Sequence, residues 1–567
     1  MREKLRLLPA IGLLIALFVT AAAKLVEIQI LEHERWRQEA EKIHVRQLTQ
    51  SHPRGRIYDR NGLLLAFDVK ATSIALDNYH MTKPELLQRL LERHLGLSAE
   101  QAEKLIYRPS YFTWIARKVD PNIAGEIKRE AASLGIRGLI LIPEWKRVYP
   151  QGELASNVIG FAGLDNQGLE GVELAFDELL RGTPRRSEVV LGADGTRLEE
   201  RIVEPGSPGA DIHLTIDAHI QLIAERAIRE GVQRSRAKGG FAAVLDPKTG
   251  EILALAQDKT YDLNEFERSS PKERLNLAVA YAFEPGSAFK PFAMLAALEA
   301  GVVGLNERIN GDQPVIIAGH RFHNAEQISY GPVTPQEIIA KSINTGMIRI
   351  ALRLGEERLY TFLKGLGFGE ETGMGLPGEV GGLLRPLEEW SKLEIGAIPI
   401  GQGISVTGIQ LASRYAALAN GGSILKPKII YKVDPPADRD LEPGLSGESG
   451  VTGPIASRAN LEALREMMVR VVSEEGTGIL ARIEGFEVAG KSGTGQKALP
   501  GLGYVKGKYT SVFVGFFPAY KPQYLILVVL DEVGTRYFYG GQTAAPIFKE
   551  IVEGIIALKR LKPKLMP

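Results

Sequence analysis

From Leu7 to Ala23 the chain runs 17 residues without a charge, nearly all of them apolar, and Leu25, Val26, Ile28, Ile30 and Leu31 prolong the run. Few fates are open to such a segment: about 20 apolar residues span the hydrocarbon of a bilayer, and shorter runs are core helices or the centres of signal peptides. Arg2, Lys4 and Arg6 precede it, against Glu3 alone. Basic residues on that side put the N-terminus in the cytoplasm. Ala21-Ala22-Ala23 offers small residues to a peptidase, which makes a cleaved signal peptide the alternative. The apolar core, however, exceeds the ~7–15 residues usual there. The reading is an uncleaved anchor over residues 1–30. No second run approaches spanning length, so the remainder is expected outside the cytoplasm.

That remainder has the composition of folded protein, with 44% apolar and 24% charged residues over the 567-residue chain. Lys plus Arg number 69 and Asp plus Glu 68, a balance without the basic surface that nucleic acid requires. The absence of Cys removes thiol nucleophiles, disulfides, Fe–S clusters and Cys-rich zinc sites together.

Glu32 to Gln50 is charged and helix-compatible, and His52-Pro53-Arg54-Gly55 ends it. Residues 55 to about 235 mix short strands and helices, enough for one or two modules, punctuated by turn chemistry at Asp59-Arg60-Asn61-Gly62 and Ala193-Asp194-Gly195. In residues 236–567, Phe241–Leu245 and Glu251–Ala256 read as strands, as do Glu487–Ala489, Thr510–Phe516 and Tyr524–Leu530. A helix is expected from Ser287, and another from Pro546, proline being favoured in a first turn. The fold class is α+β: a five-stranded antiparallel sheet covered by helices, preceded by the membrane helix and a second α+β domain. Residues 434–454 read as a surface loop.

Two short patterns are decoys. Gly485 to Ser492 spells a phosphate loop, but that chemistry needs a helix at Lys491-Ser492, and Gly493, Gly495, Pro500, Gly501 and Gly503 forbid one. Gly373 to Gly378 spells a dinucleotide fingerprint without a preceding strand and with Pro377 inside it.

Ser-x-x-Lys occurs four times, at Ser235/Lys238, Ser269/Lys272, Ser287/Lys290 and Ser423/Lys426. Only Ser287 follows a Pro-Gly turn and opens an apolar helix. Positions i and i+3 share a helix face, so Lys290 can reach the Ser287 hydroxyl, and an apolar setting disfavours its charged form. Backbone amides at the helix start can stabilise an oxyanion. Ser342-Ile343-Asn344 sits between two helical stretches, Pro335–Lys341 and Met347–Leu354. Lys491-Ser492-Gly493-Thr494 lies on a strand, where alternation puts Ser492 and Thr494 on one face to grip a carboxylate and Gly493 admits a substrate backbone. Lys248-Thr249-Gly250 is a further decoy, in a hairpin turn.

The order Ser-x-x-Lys, Ser-x-Asn, Lys-Ser-Gly resembles the signature of penicillin-recognising serine enzymes. Arg54-Gly55-Arg56-Ile57, Asp59-Arg60-Asn61-Gly62, Gly168-Leu169-Glu170-Gly171 and Leu214-Thr215-Ile216-Asp217 are similar to the non-catalytic half of class B penicillin-binding proteins. Asp246 to Ile252, Gly401-Gln402-Gly403 and Tyr539-Gly540-Gly541 are similar to the catalytic half. The resemblance implies domains at 1–30 (anchor), 31–235 (pedestal) and 236–567 (transpeptidase). It further implies a peptidoglycan D,D-transpeptidase facing the periplasm from the inner membrane. Ser287 would attack the penultimate D-Ala and release the terminal one, with Lys290 as base, and Ser342 and Lys491 as proton relay. Asn344 would hold the substrate amide, Ser492 and Thr494 would bind the terminal carboxylate with Gly493 admitting the substrate backbone between them, and the amides of Ser287 and Thr494 would form the oxyanion hole. Implied partners are stem peptides on lipid-linked precursor strands, a polytopic glycan polymerase that meets anchor and pedestal, and β-lactams as covalent inhibitors. No metal or other cofactor is called for, and His320 and His323 read as loop residues. Ile395 to Ala412 and Tyr330 to Thr334 look more like the division-type branch than the elongation type. Alternatives are a hydrolytic D,D-carboxypeptidase or β-lactamase, and a silent penicillin-binding sensor or scaffold; no Glu-x-x-Leu-Asn stretch lies between Asn344 and Lys491 to position a deacylating water.

Overall fold

The structure, a computed structural model, describes residues 2–36, 45–191, 197–436, 453–499 and 503–563. The chain forms two compact units, Met1–Pro53 with Gly182–Gly209, and Arg54–Arg181 with Ala210–Pro567.

In the first unit the helix Arg2–Val26 continues as a π-helix, Glu27–Leu31. Ile11–Leu31 has a mean hydropathy of 2.1 and buries none of its surface in the protein, which fits a membrane anchor. A three-stranded antiparallel sheet follows, in the order Val45–Gln50, Arg185–Leu191, Arg197–Glu204. The helix-compatible stretch therefore ends in a strand. Val45 to Gln50 pair residue by residue with Val190 to Arg185, a long-range ladder that outweighs weak local propensity. The expected turn at Ala193-Asp194-Gly195 lies outside the described residues, as does most of the expected loop 434–454.

The second unit holds two large sheets. One has the order Ile430–Asp434, Asp211–Leu214, Ile57–Tyr58, Leu64–Leu76, Thr113–Val119, with Leu139–Val148 also paired to Leu64–Leu76. Asp59 makes its turn by accepting from the amides of Asn61 (2.8 Å) and Leu63 (2.7 Å), while its second oxygen takes the Ala218 amide. Beside this sheet the Arg54 guanidinium is fully buried between Glu173 (2.7 Å) and Asp177 (2.5 Å), and Arg147 bridges Glu173 (2.6 Å) and Asp68 (3.1 Å).

The other sheet is the expected five-stranded one, wholly antiparallel, in the order Ile252–Gln257, Gly239–Leu245, Tyr524–Asp531, Gly503–Phe517, Ala489–Leu499. Alternation along its strands sends side chains into two cores. Leu525, Leu527 and Val529 face the block carrying helices Lys290–Glu299, Asn344–Leu354 and Gly408–Ala419. Ile526, Val528 and Leu530 face helices Ala218–Ser235 and Gly540–Lys559. Both faces are covered, so Tyr524–Asp531 is continuously apolar at its centre. The C-terminal helix starts at Gly540, and Pro546 lies inside it. Its start is set by packing: a Cβ on Gly540 would meet the Val512 carbonyl at 2.2 Å, and one on Gly541 the Thr477 carbonyl at 1.9 Å.

Candidate active site

Three chain segments meet at the edge strand Ala489–Leu499, and each has a local reason for its shape. Ser287 sits in a 3-10 turn, Gly286–Phe289, that runs into helix Lys290–Glu299. Gly286 adopts φ +54°, and its missing side chain admits the Thr494 carbonyl, which a Cβ would approach to 2.4 Å. Gly401 fits under the same turn, where a Cβ would meet the Gly286 carbonyl at 2.0 Å, and its own carbonyl accepts the Gly286 amide at 3.0 Å. Phe289, Phe292, Phe368 and Tyr415 interlock at 5.0–5.4 Å behind the turn, and the Tyr415 hydroxyl donates to the Ala288 carbonyl at 2.5 Å.

Ser342 follows helix Pro335–Ala340 with φ +59°, the position and conformation that close a helix and usually belong to glycine. The Ile343 amide bonds back to Ile338 at 2.9 Å. A serine there carries roughly 1–2 kcal/mol of backbone strain, a feature that clusters at functional sites. The helix resumes at Asn344, earlier than the expected Met347.

These turns bring Lys290, Ser342, Asn344 and Lys491 into one cluster. Lys290 Nζ donates to the Ser342 carbonyl (2.5 Å) and Asn344 Oδ1 (2.7 Å), and lies 3.1 Å from Ser342 Oγ. Lys491 Nζ donates to the same Ser342 Oγ at 3.0 Å and to the Ser492 carbonyl at 2.9 Å. One hydroxyl thus joins two lysines, both 0% exposed. Burial pushes the Lys491 amine down to about 7. Burial, and then the Lys491 charge, hold Lys290 well below the ordinary lysine range. A neutral Lys290 has two N–H bonds and one lone pair. The Ser342 carbonyl and Asn344 Oδ1 accept only, so they take both N–H bonds and leave the lone pair for a hydroxyl.

The triplet Ser492-Gly493-Thr494, expected to grip a carboxylate, makes contacts within the chain. Ser492 is 7% exposed, and its Oγ is 2.7 Å from Thr477 Oγ1. Thr494 Oγ1 accepts the Gly540 amide at 3.1 Å. Gly493 makes room for the chain itself: a Cβ there would meet the Pro285 carbonyl at 2.4 Å and the Ala288 side chain at 2.8 Å. Its smallness seats the Ser287 turn on the strand. The Thr494 carbonyl points off the sheet edge toward Gly286, and the N–H of a strand residue points to the same side as its carbonyl. The Thr494 amide therefore also faces the Ser287 turn, as an oxyanion donor must.

Residues 240–553 match the family model of the penicillin binding protein transpeptidase domain, and residues 49–214 that of the penicillin-binding protein dimerisation domain. The chain belongs to the class B penicillin-binding proteins. This penicillin-binding protein is 33% identical to a probable peptidoglycan D,D-transpeptidase PenA of Neisseria gonorrhoeae, over 96% of this chain and 91% of that one. It is 31% identical to the peptidoglycan D,D-transpeptidase FtsI of Escherichia coli K12, over 92% and 86%. Its fold matches a crystal structure of penicillin-binding protein 3 from Mycobacterium tuberculosis complexed with aztreonam, with a TM-score of 0.69, 28% identity and coverage of 91% and 98%.

Two residues at the site of this penicillin-binding protein escape a motif reading. Thr477 sits in a Gly476-Thr477-Gly478 turn, with nothing in sequence to tie it to Ser492. His323, read as a loop residue, contributes its backbone: the Asn344 Nδ2 donates to the His323 carbonyl at 2.9 Å.

Proposed function

We propose that the chain is a peptidoglycan D,D-transpeptidase that works through a Ser287 acyl-enzyme. The observation that carries the reading is the Ser342 hydroxyl held between Lys290 and Lys491, next to the Ser287 turn. Lys290, kept short of protons by burial, takes the Ser287 proton as Oγ attacks the penultimate D-Ala carbonyl. The oxyanion forms between the amides of Ser287 and Thr494. The proton then passes from Lys290 through Ser342, under the field of Lys491, to the departing D-Ala amine. Asn344 holds the donor peptide, and Ser492 and Thr494 with Gly493 form the carboxylate end of the site. An amine of a second stem peptide resolves the ester by the reverse route. β-Lactams, shaped like D-Ala-D-Ala, stop at the ester.

The anchor at 1–30, the pedestal at 31–235 and the transpeptidase at 236–567 are the functional division within this reading. It places the catalytic domain on the periplasmic side of the inner membrane, beside a polytopic glycan polymerase. We assign the chain to septal synthesis on the likeness of Ile395 to Ala412 and Tyr330 to Thr334. Depletion that yields filaments supports that assignment, and rounded cells overturn it.

The deciding experiment labels the purified chain and Ser287→Ala with a fluorescent penicillin, maps the adduct, and supplies stem peptides. A long-lived adduct on Ser287, absent from the variant, with cross-linked product, is expected. Rapid release of hydrolysed drug would replace the reading with a hydrolase.

A further inference from the structure

The helix Asn344–Leu354 begins without a cap of its own. Its N-cap is Ile343, which has no side-chain acceptor, so the first-turn amides need a partner from elsewhere. Asn324, 21 residues upstream and 5% exposed, provides one: its Oδ1 accepts the Thr345 amide at 3.0 Å and the Thr345 hydroxyl lies 3.1 Å away. The other end of the same amide donates to the carbonyls of Gly311 (3.0 Å) and Ile328 (2.8 Å). Thr345, fully buried, also donates to the Gly311 carbonyl at 2.8 Å. Every polar group of the Asn324 side chain is thereby used, inside a turn where Glu326 and Gln327 both have φ +56°. The loop from Gly311 to Gly331 is clipped onto the start of the helix that carries Asn344.

The clip reaches the reacting groups through one carbonyl. His323 precedes Asn324, and its C=O receives the Asn344 Nδ2 at 2.9 Å. A carbonyl accepts only, so Nδ2 must face it and Oδ1 must face Lys290, 2.7 Å away. Turned over, the amide would aim its N–H bonds at Lys290 and occupy the lone pair that the base needs.

We propose that Asn324 and Thr345 are positioning residues for acylation: they hold the His323 carbonyl against Asn344 and so set which end of that amide meets Lys290. The inference rests on the reading of Ser287 as nucleophile and Lys290 as its base.

The test measures the acylation rate constant at saturating β-lactam, and separately its non-covalent dissociation constant, on the full detergent-solubilised chain. Thr345→Val keeps the shape and loses the hydroxyl; acylation should slow about tenfold, the cost of one lost buried hydrogen bond, with drug affinity little changed. Thr345→Ser should recover most of that loss. In an Asn344→Ala background, which itself slows acylation, Thr345→Val should add nothing, because its effect passes through Asn344. Asn324→Asp, which keeps volume and turns a carboxylate on the Gly311 and Ile328 carbonyls, should reproduce the loss and serves if the valine variant does not melt cooperatively. A valine variant as fast as the parent, a serine variant slower than valine, or losses that multiply in the Asn344→Ala background overturn the proposal. No effect of Asn344→Ala alone would instead refute the underlying assignment of Asn344.

Discussion

Ser342 Oγ lies 3.1 Å from one buried lysine and 3.0 Å from another, and two ammonium groups that close, away from water, cannot both persist at neutral pH. Acylation by a β-lactam should therefore fall as the medium is acidified and a proton blocks the Lys290 base, up to about tenfold per pH unit. A flat profile of the second-order acylation rate between pH 5 and 8 would contradict this. The same charges bear on stability. Between about 7 and its ordinary 10.5, Lys491 binds fewer protons folded than unfolded, so the penalty is complete below that window and fades as pH rises through it. Lys491→Met should abolish activity yet raise the stability at pH 6, by roughly 1–3 kcal/mol, with the gain shrinking toward pH 10. Melting curves at the two pH values check it. In the other sheet's neighbourhood, Glu173 is the shared anion of Arg54 and Arg147. Glu173→Ala leaves two buried guanidiniums short of a partner and should cost about 3–5 kcal/mol in a denaturant titration.

The edge strand Ala489–Leu499 carries more of the site than its motif letters suggest. Its outer edge, at Gly493 and Thr494, is the surface on which the Ser287 turn rests. Gly493→Ala should push that turn outward. We expect about 1–3 kcal/mol of destabilisation from overpacking, and at least about a hundredfold slower acylation, since a ~1 Å misplacement is enough for that. Equal acylation rates for parent and variant, read by rapid-quench labelling, would contradict the packing argument. At this scale the sequence was legible where periodicity was strong. Tyr524–Asp531 and Gly239–Leu245 appear within a residue or two of expectation. It was less legible where a distant partner decides. Val45–Gln50 looks helical until its ladder to Arg185–Leu191 is seen, and Pro546 looks like a helix start until Gly540 and Gly541 are seen against the Val512 and Thr477 carbonyls.

For the whole molecule, the five-stranded sheet with helices on both faces places the three motifs, and the apolar N-terminal helix fits a tether to a membrane. Removing residues 1–31 should move the chain from the membrane pellet to the soluble fraction while penicillin labelling persists; a truncated chain that still sediments with membranes would refute the anchor. Strand Ile430–Asp434 pairs with Asp211–Leu214, so a distant segment completes a sheet whose other strands all come from residues 57–214.

By itself the sequence determined the class of protein and its chemistry, and it pointed to five groups to carry that chemistry. Ser287, Lys290, Ser342, Asn344 and Lys491 are expected from the order of three motifs along the chain and from the resemblance to penicillin-recognising enzymes that this order carries, and motif order is what a chain displays before it folds. Only the tertiary structure decided how those groups are poised: the depressed lysines, the strained Ser342, Thr477 on Ser492, and the loop that turns Asn344 toward Lys290. Each of these depends on burial or on a bond between residues far apart in the chain, and neither burial nor such a bond exists until the two cores have closed on the sheet.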